Sequence, residues 1–330
     1  MTGLDPVAAL ILDEAPAEPG RTLVLDDSGG ALTSSVISRG PVIAWCDDLH
    51  DEQALPIPAL AVLDATTLAG VETVLMRLPK SLGALEEYVQ QVAAWADPGV
   101  RIVAGGREKH LTKGMNAVLA SRFGEVRASL GRQKSRVLHA RDARPGPITW
   151  PRTSRLDELG LTVVSHGAVF AAGRLDAGTR LLLSVLSGAP RGRAVDLGCG
   201  TGVLAAWLAR RGDQVLAVDV SAAACASTRE TAAANGVSVE VQRTDGLTGV
   251  QPGSVDLVAC NPPFHQGTTK DSTPGFNMLR PAAGALAPGG ELWTVFNSHL
   301  PYLQLLRTEV GPTRVVTQDR HYTVSRTVRR

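Results

Sequence analysis

Residues 193–221 constrain the fold more than any other stretch. They read Arg193-Ala-Val-Asp196-Leu-Gly198-Cys-Gly200-Thr-Gly202, an apolar run to Arg211, then Gln214-Val-Leu-Ala-Val-Asp219-Val220-Ser221. A strand, a glycine loop, a helix and a second strand ending in an acid demand a parallel βαβ unit. The glycines let backbone approach a ligand closely, and the helix N-terminus adds oriented N–H groups. Asp219 lies about twenty residues past the loop, where an acid at a strand end grips a ribose diol. A nicotinamide fingerprint places glycine where Val203 stands, and the acid Asp196 ahead of the loop suits a cationic amino-acid ligand better than a pyrophosphate. S-adenosylmethionine fits this set and NAD fits it poorly. Asp196, Gly198, Gly200, Gly202, Asp219 and Val220 are therefore the predicted cofactor residues.

A second motif follows the apolar run Val255 to Ala259, namely Cys260-Asn261-Pro262-Pro263-Phe264. Each proline lacks an N–H and fixes φ, so the chain leaves the sheet stiffly and cannot keep pairing. Beside the freed carbonyls sit one amide, which both donates and accepts, and one aromatic face. That set suits a flat ring with an exocyclic amine. The Asn261 side chain and the Pro262 carbonyl accept its two hydrogens while Phe264 stacks on the ring. The nitrogen lone pair is then aimed at an electrophile, which is catalysis by orientation. A merely proline-stiffened strand exit is the alternative reading of the tripeptide alone.

Taken with Ser165-His-Gly-Ala-Val-Phe170, Leu175-Asp176-Ala-Gly178-Thr179 and Asn261-Pro-Pro-Phe-His265-Gln266, these segments resemble bacterial ribosomal RNA guanine-N2 methyltransferases. The resemblance covers nearly the whole chain and favours the large-subunit type, through Leu78-Pro-Lys-Ser-Leu, Arg101-Ile-Val-Ala-Gly-Gly and Leu130-Gly-Arg-Gln-Lys-Ser-Arg. It implies an α/β fold of two tandem Rossmann-like methyltransferase domains, the N-terminal one degenerate. It also implies that Phe170 and Thr179 pack at the cofactor and that an acid placed like Asp245 meets its adenine. Asn261 would contribute to the cofactor pocket as well as to catalysis, and His265 and Gln266 would face the base or the RNA.

Composition bounds the rest. A chain of 330 residues exceeds what one core usually serves. No apolar run reaches membrane-spanning length, and the N-terminus shows no basic-then-apolar leader. Cys46, Cys199, Cys225 and Cys260 form no Cys-x-x-Cys pair, so neither zinc nor disulfides are expected, and a cytoplasmic monomer without metal is. A net charge of +1 hides strong segregation. Residues 1–99 hold 4 basic and 15 acidic side chains, and residues 100–144 hold 11 basic against 3 acidic. Segregated charge of this kind points to nucleic acid, which the resemblance makes ribosomal RNA or a ribosomal subunit.

In chain order, residues 1–20 read as a polar lead-in to a degenerate, RNA-binding domain ending at 145. Strands are expected at Arg21–Asp26, Pro41–Trp45, Val71–Arg77 and Val100–Ala104, and helices at Leu82–Ala96 and Asn116–Phe123. Asp27-Ser-Gly-Gly occupies the place of a cofactor loop but lacks its acid and glycine spacing, and Leu78-Pro79-Lys80 is a faded strand exit. Strands at 126–130 and 135–139 flank a turn whose Arg132, Lys134 and Arg136 are candidate phosphate contacts. A Pro-rich linker spans 146–160, and the catalytic domain 161–330 is expected to hold a helix at 222–235, a strand at 237–241 and a helix at 276–286. The expected activity is methyl transfer from S-adenosylmethionine to guanine N2 of ribosomal RNA. Adenine-N6 methylation, glutamine-N5 methylation of a release factor and a non-catalytic RNA-binding scaffold are the alternatives.

Overall fold

The computed structural model describes residues 4–171, 173–263 and 273–330. Two units separate: residues 1–151 with 166–168, and residues 152–165 with 169–330.

The first unit carries a six-stranded sheet of β1 (Thr22–Leu25), β2 (Val42–Trp45), β3 (Thr73–Arg77), β4 (Arg101–Arg107), β5 (Phe123–Ala128) and β6 (Ser135–Ala143), in the order β2-β1-β3-β4-β6-β5. The first four run parallel, and β6 lies antiparallel to both β4 and β5. The second unit opens with the hairpin β7 (Arg152–Leu156) and β8 (Leu161–Ser165). Its seven-stranded sheet comprises β9 (Arg193–Leu197), β10 (Gln214–Asp219), β11 (Glu240–Arg243), β12 (Val255–Cys260), β13 (Leu286–Asn297), β14 (Thr313–Gln318) and β15 (Tyr322–Val328). The order is β11-β10-β9-β12-β13-β15-β14, again parallel up to β13 and antiparallel beyond it. Without β11 the two orders are the same. Alternate residues of the second sheet, Ala194 and Ala217 against Val195 and Val218, feed different apolar clusters, so helices cover both faces.

Register aligns the two loops residue by residue. Leu25 pairs with Trp45 and Met76; Leu197 pairs with Val218 and Cys260. The next amide bonds back to the neighbouring strand in both, Asp26 to the Trp45 carbonyl at 3.0 Å and Gly198 to that of Val218 at 2.9 Å. Both helices then start after a left-handed glycine, Gly30 and Gly202. A Cβ on Gly202 would lie 2.8 Å from the Thr228 backbone, and one on Gly30 would strike the Ala54 carbonyl. The glycine that close packing requires is thus present in both loops. The others differ: Val24 stands where Asp196 does, Asp26 and Ser28 where Gly198 and Gly200 do, Cys46 where Asp219 does, and Arg77 where Asn261 does. Asp26 instead fills the loop, its buried carboxylate accepting from the Asp47 N–H at 3.0 Å and the Tyr88 hydroxyl at 3.1 Å. The first unit is a degenerate copy.

Several local expectations are corrected. The lead-in contains a helix, Pro6–Glu14, capped by Asp5 and burying Val7, Ala8, Leu10 and Ile11. Asp5→Ala should cost about 1 kcal/mol by losing that cap, read as a melting temperature lower by a few degrees; no change would detach the helix from the fold. The linker is shorter than expected, because Arg152–Leu156 pairs with Leu161–Ser165. The helix expected at 116–123 is Lys113–Ala120, with Phe123 already in β5. The strand expected at 237–241 is Glu240–Arg243. The helix expected at 276–286 becomes Thr273–Leu279 and Ala282–Ala285, because Pro281 supplies no N–H to a continuous helix.

Candidate active site

The parallel order places the ends of β9, β10 and β12 together at the point where the chain turns from building outward through β10 to building the other way through β12. Asp196 is 1% exposed in β9; its Oδ2 accepts the Ala205 N–H at 2.9 Å, and its Oδ1 is buried with no partner among the described residues. Burial, with Asp219 nearby, pushes this carboxyl up to about 7. Its folded value lies above its unfolded one, so the folded protein binds the extra proton and stability falls as pH rises from about 4 through about 7. The melting temperature of the ligand-free protein should therefore drop between pH 5 and 8, and Asp196→Asn should flatten that slope. Asp26, also pushed up to about 7 by burial, keeps some slope in the variant.

Asp219 ends β10 and braces the glycine loop. One oxygen accepts the Gly200 N–H at 3.1 Å and the other the Ser221 N–H at 3.0 Å. Gly200, at φ +53°, meets only Val169 when a Cβ is added, at 3.8 Å, so its surface is open to a ligand. At Gly198 an added Cβ would press the flexible Met278 side chain at 2.6 Å. Val220 follows Asp219 and is half-buried; Asp245, two residues past β11, is exposed.

Asn261 follows β12 directly. Its Nδ2 donates to Asp176 Oδ2 and to Thr179 Oγ1, both at 2.9 Å, and Asp176 also caps the helix Ala177–Leu186 through the Thr179 N–H at 3.1 Å. An ionised carboxylate only accepts, so this network fixes which end of the amide is nitrogen. Oδ1 is left buried with no partner among the described residues. The resemblance placed Thr179 at the cofactor; in the structure Asp176 and Thr179 form the clamp on Asn261. The spacing of an acid three residues before a threonine signalled the cap but not the clamp. Pro262 is buried at the exit, whereas Phe264, His265 and Gln266 lie outside the described residues. Phe170 is 76% exposed, so its ring covers nothing within the described chain. All four cysteines are buried and unbridged, and no acidic, histidine and cysteine cluster fit for a metal occurs among the described residues.

Arg132, Lys134 and Arg136 lie at the β5–β6 turn, where Gln133 and Lys134 take positive φ. Arg132 pairs with Asp13 at 2.8 Å and Arg136 with Glu108 at 3.2 Å, while Lys134 is exposed.

Comparison with known proteins bears on this arrangement. Residues 160–326 match the methyltransferase small domain family, and residues 8–144 match the RLMG N-terminal domain. The ribosomal RNA large subunit methyltransferase G of Streptomyces avermitilis is 35% identical, over 94% of this chain and 88% of its own length. The protein of that name from Pseudomonas aeruginosa is 38% identical over 86% of this chain and 80% of its own. Among solved structures, the T. thermophilus 16S rRNA N2 methyltransferase, in complex with AdoMet and guanosine, superposes with a TM-score of 0.83 at 23% identity. That match covers 99% of this chain and 92% of the other. With relatives this similar across nearly its full length, the chain belongs to the ribosomal RNA large subunit methyltransferase G family.

Proposed function

We propose that the protein transfers a methyl group from S-adenosylmethionine to the exocyclic N2 amine of a guanine in large-subunit ribosomal RNA. The observation that carries this reading is Oδ1 of Asn261 at the exit of β12, buried and without a partner among the described residues, its amide nitrogen already held by Asp176 and Thr179. An acceptor fixed in this way waits for an N–H donor. The relatives named as large-subunit ribosomal RNA methyltransferases support the choice of substrate.

The residues present fit the cofactor. Asp196 offers to its cationic amino-acid end a buried carboxylate oxygen that has no partner among the described residues, and the open surface of Gly200 admits it closely. Asp219 would hold the ribose hydroxyls, with Gly198, Gly202 and Val220 shaping the pocket, Asp245 at the adenine and Phe170 laid over the bound molecule. When bound, S-adenosylmethionine supplies an electrophilic methyl group. The chain's own contribution is orientation: Asn261 Oδ1 and the Pro262 carbonyl take the two amine hydrogens, and Phe264 stacks on the base. His265 and Gln266 would face the base or the RNA. The base has to be unpaired or flipped to enter such a pocket. The first unit holds the RNA, with Arg132, Lys134 and Arg136 among its contacts. The enzyme works as a cytoplasmic monomer and needs no metal.

Incubation with labelled S-adenosylmethionine and unmodified 23S and 16S ribosomal RNA, followed by nucleoside analysis, tests this. One N2-methylguanosine per large-subunit RNA is expected. Label on adenine, on 16S RNA alone, or on a release-factor glutamine would overturn the reading in favour of that acceptor.

A further inference from the structure

The basic cluster of the first unit is not uniform in its partners. Beyond the pairs of Arg132 and Arg136, Arg144 pairs with Asp142 at 3.1 Å, and Arg107 donates to the Gln133 carbonyl at 3.0 Å. Arg101, Arg127 and Arg141 make no ion pair among the described residues. Register brings these three together. Ile102 pairs with Ala140, so the next residues outward, Arg101 and Arg141, face each other; Arg127 pairs with His139. Directly opposed residues share a face of the sheet, as do alternate residues of one strand, so Arg101, Arg127, His139 and Arg141 all stand on one face.

Arg101, His139 and Arg141 line a cleft of about 210 Å³ beside the end of the helix Pro6–Glu14, together with Glu14 and Pro16. Two acids lie near. Glu14 is engaged by His139 Nε2 at 3.0 Å, and Glu125 pairs in register with Arg141 without forming an ion pair. Like charges set opposite each other in a sheet destabilise it, and an anion between them removes that cost. A guanidinium fork also matches a phosphate bidentately, which few other anions on an RNA surface offer.

We propose that this cleft, with Arg101 and Arg141 side by side, binds a phosphate of the RNA backbone. The proposal rests on the RNA-methyltransferase reading and names a contact distinct from the β5–β6 turn. At the turn, RNA has to displace Asp13 and Glu108; at the cleft, the cations are already available. The contact carries no base information and serves to hold the substrate.

The test is ribosomal RNA affinity across a salt series for the full-length protein and its Arg101→Gln/Arg141→Gln variant. The log–log slope should fall by about 0.7–0.9 for each true phosphate contact. Cofactor affinity measured by calorimetry should not change, and the melting temperature should hold or rise as the repulsion is removed. Arg101→Lys/Arg141→Lys, which keeps both charges, should retain most of the slope. A glutamine variant whose line lies on that of the wild type overturns the cleft, as does one that melts several degrees lower, since the arginines would then be structural. Those results leave guanine methylation by the wild type intact. A wild type that methylates no ribosomal RNA overturns the underlying reading and the cleft with it.

Discussion

Asn261→Ala is expected to cut turnover at least about a hundredfold while leaving cofactor affinity within about twofold. The lost atom is a side-chain acceptor at the strand exit that is buried and has no partner among the described residues. Burying a polar atom without a partner costs free energy, and a substrate amine returns it on binding. Without the acceptor the amine hydrogens rotate freely and the lone pair loses its aim. Thr179→Val should show a smaller loss, because Asp176 still holds the amide nitrogen at 2.9 Å. Single-turnover rates with saturating cofactor separate orientation from binding. An alanine variant that turns over near the wild-type rate would remove Asn261 from the reaction.

Asp219→Ala should weaken S-adenosylmethionine binding by about 1.5–3 kcal/mol, roughly ten- to a hundredfold. Two losses combine there. The ribose loses a charged acceptor, and the glycine loop loses the brace on the Gly200 N–H at 3.1 Å. Wild-type calorimetry should give one site per chain, since the first unit has Cys46 where Asp219 would be. Two sites, or an alanine variant with unchanged affinity, would place the cofactor elsewhere.

How legible this was in the sequence depended on how local each signal is. The βαβ unit of residues 193–221 was readable because its glycines, helix and terminal acid are contiguous. The degeneracy of the first unit was readable too, from the missing acid at Asp27-Ser-Gly-Gly. The hairpin β7–β8 was not, because Arg152-Thr-Ser-Arg155 leaves most of its side chains exposed and shows no apolar alternation. The helix Pro6–Glu14 carried its signals, Asp5 as cap, Pro6 at its first position and the apolar run Val7–Leu12, but the run is short and bracketed by polar and proline-containing segments. Partnerships across the sequence were beyond reach. The clamp on Asn261 joins residues 85 and 82 positions apart, and the pairing that occupies Arg132 spans 119. A run of positive charge shows that cations are abundant; only the fold shows which of them have already been neutralised.

The filled loop of the first unit makes its loss of function a one-way step. Returning Asp to positions 24 and 46 would not reopen a pocket, because position 24 is fully buried in an apolar cluster and position 46 sits against the carboxylates of Asp26, Asp51 and Asp27. Cys46 is already raised to about 12, chiefly by burial and further by Asp26, Asp51 and Asp27. A carboxylate there would meet the same desolvation and the same three neighbours, and one at position 24 would be buried among apolar side chains. Asp26 and Tyr88 would have to be cleared first, at the expense of the contacts that now hold the loop shut. Each single reversion is therefore disfavoured before any cofactor can reward it. The first unit is free to drift without competing for the cofactor of the second.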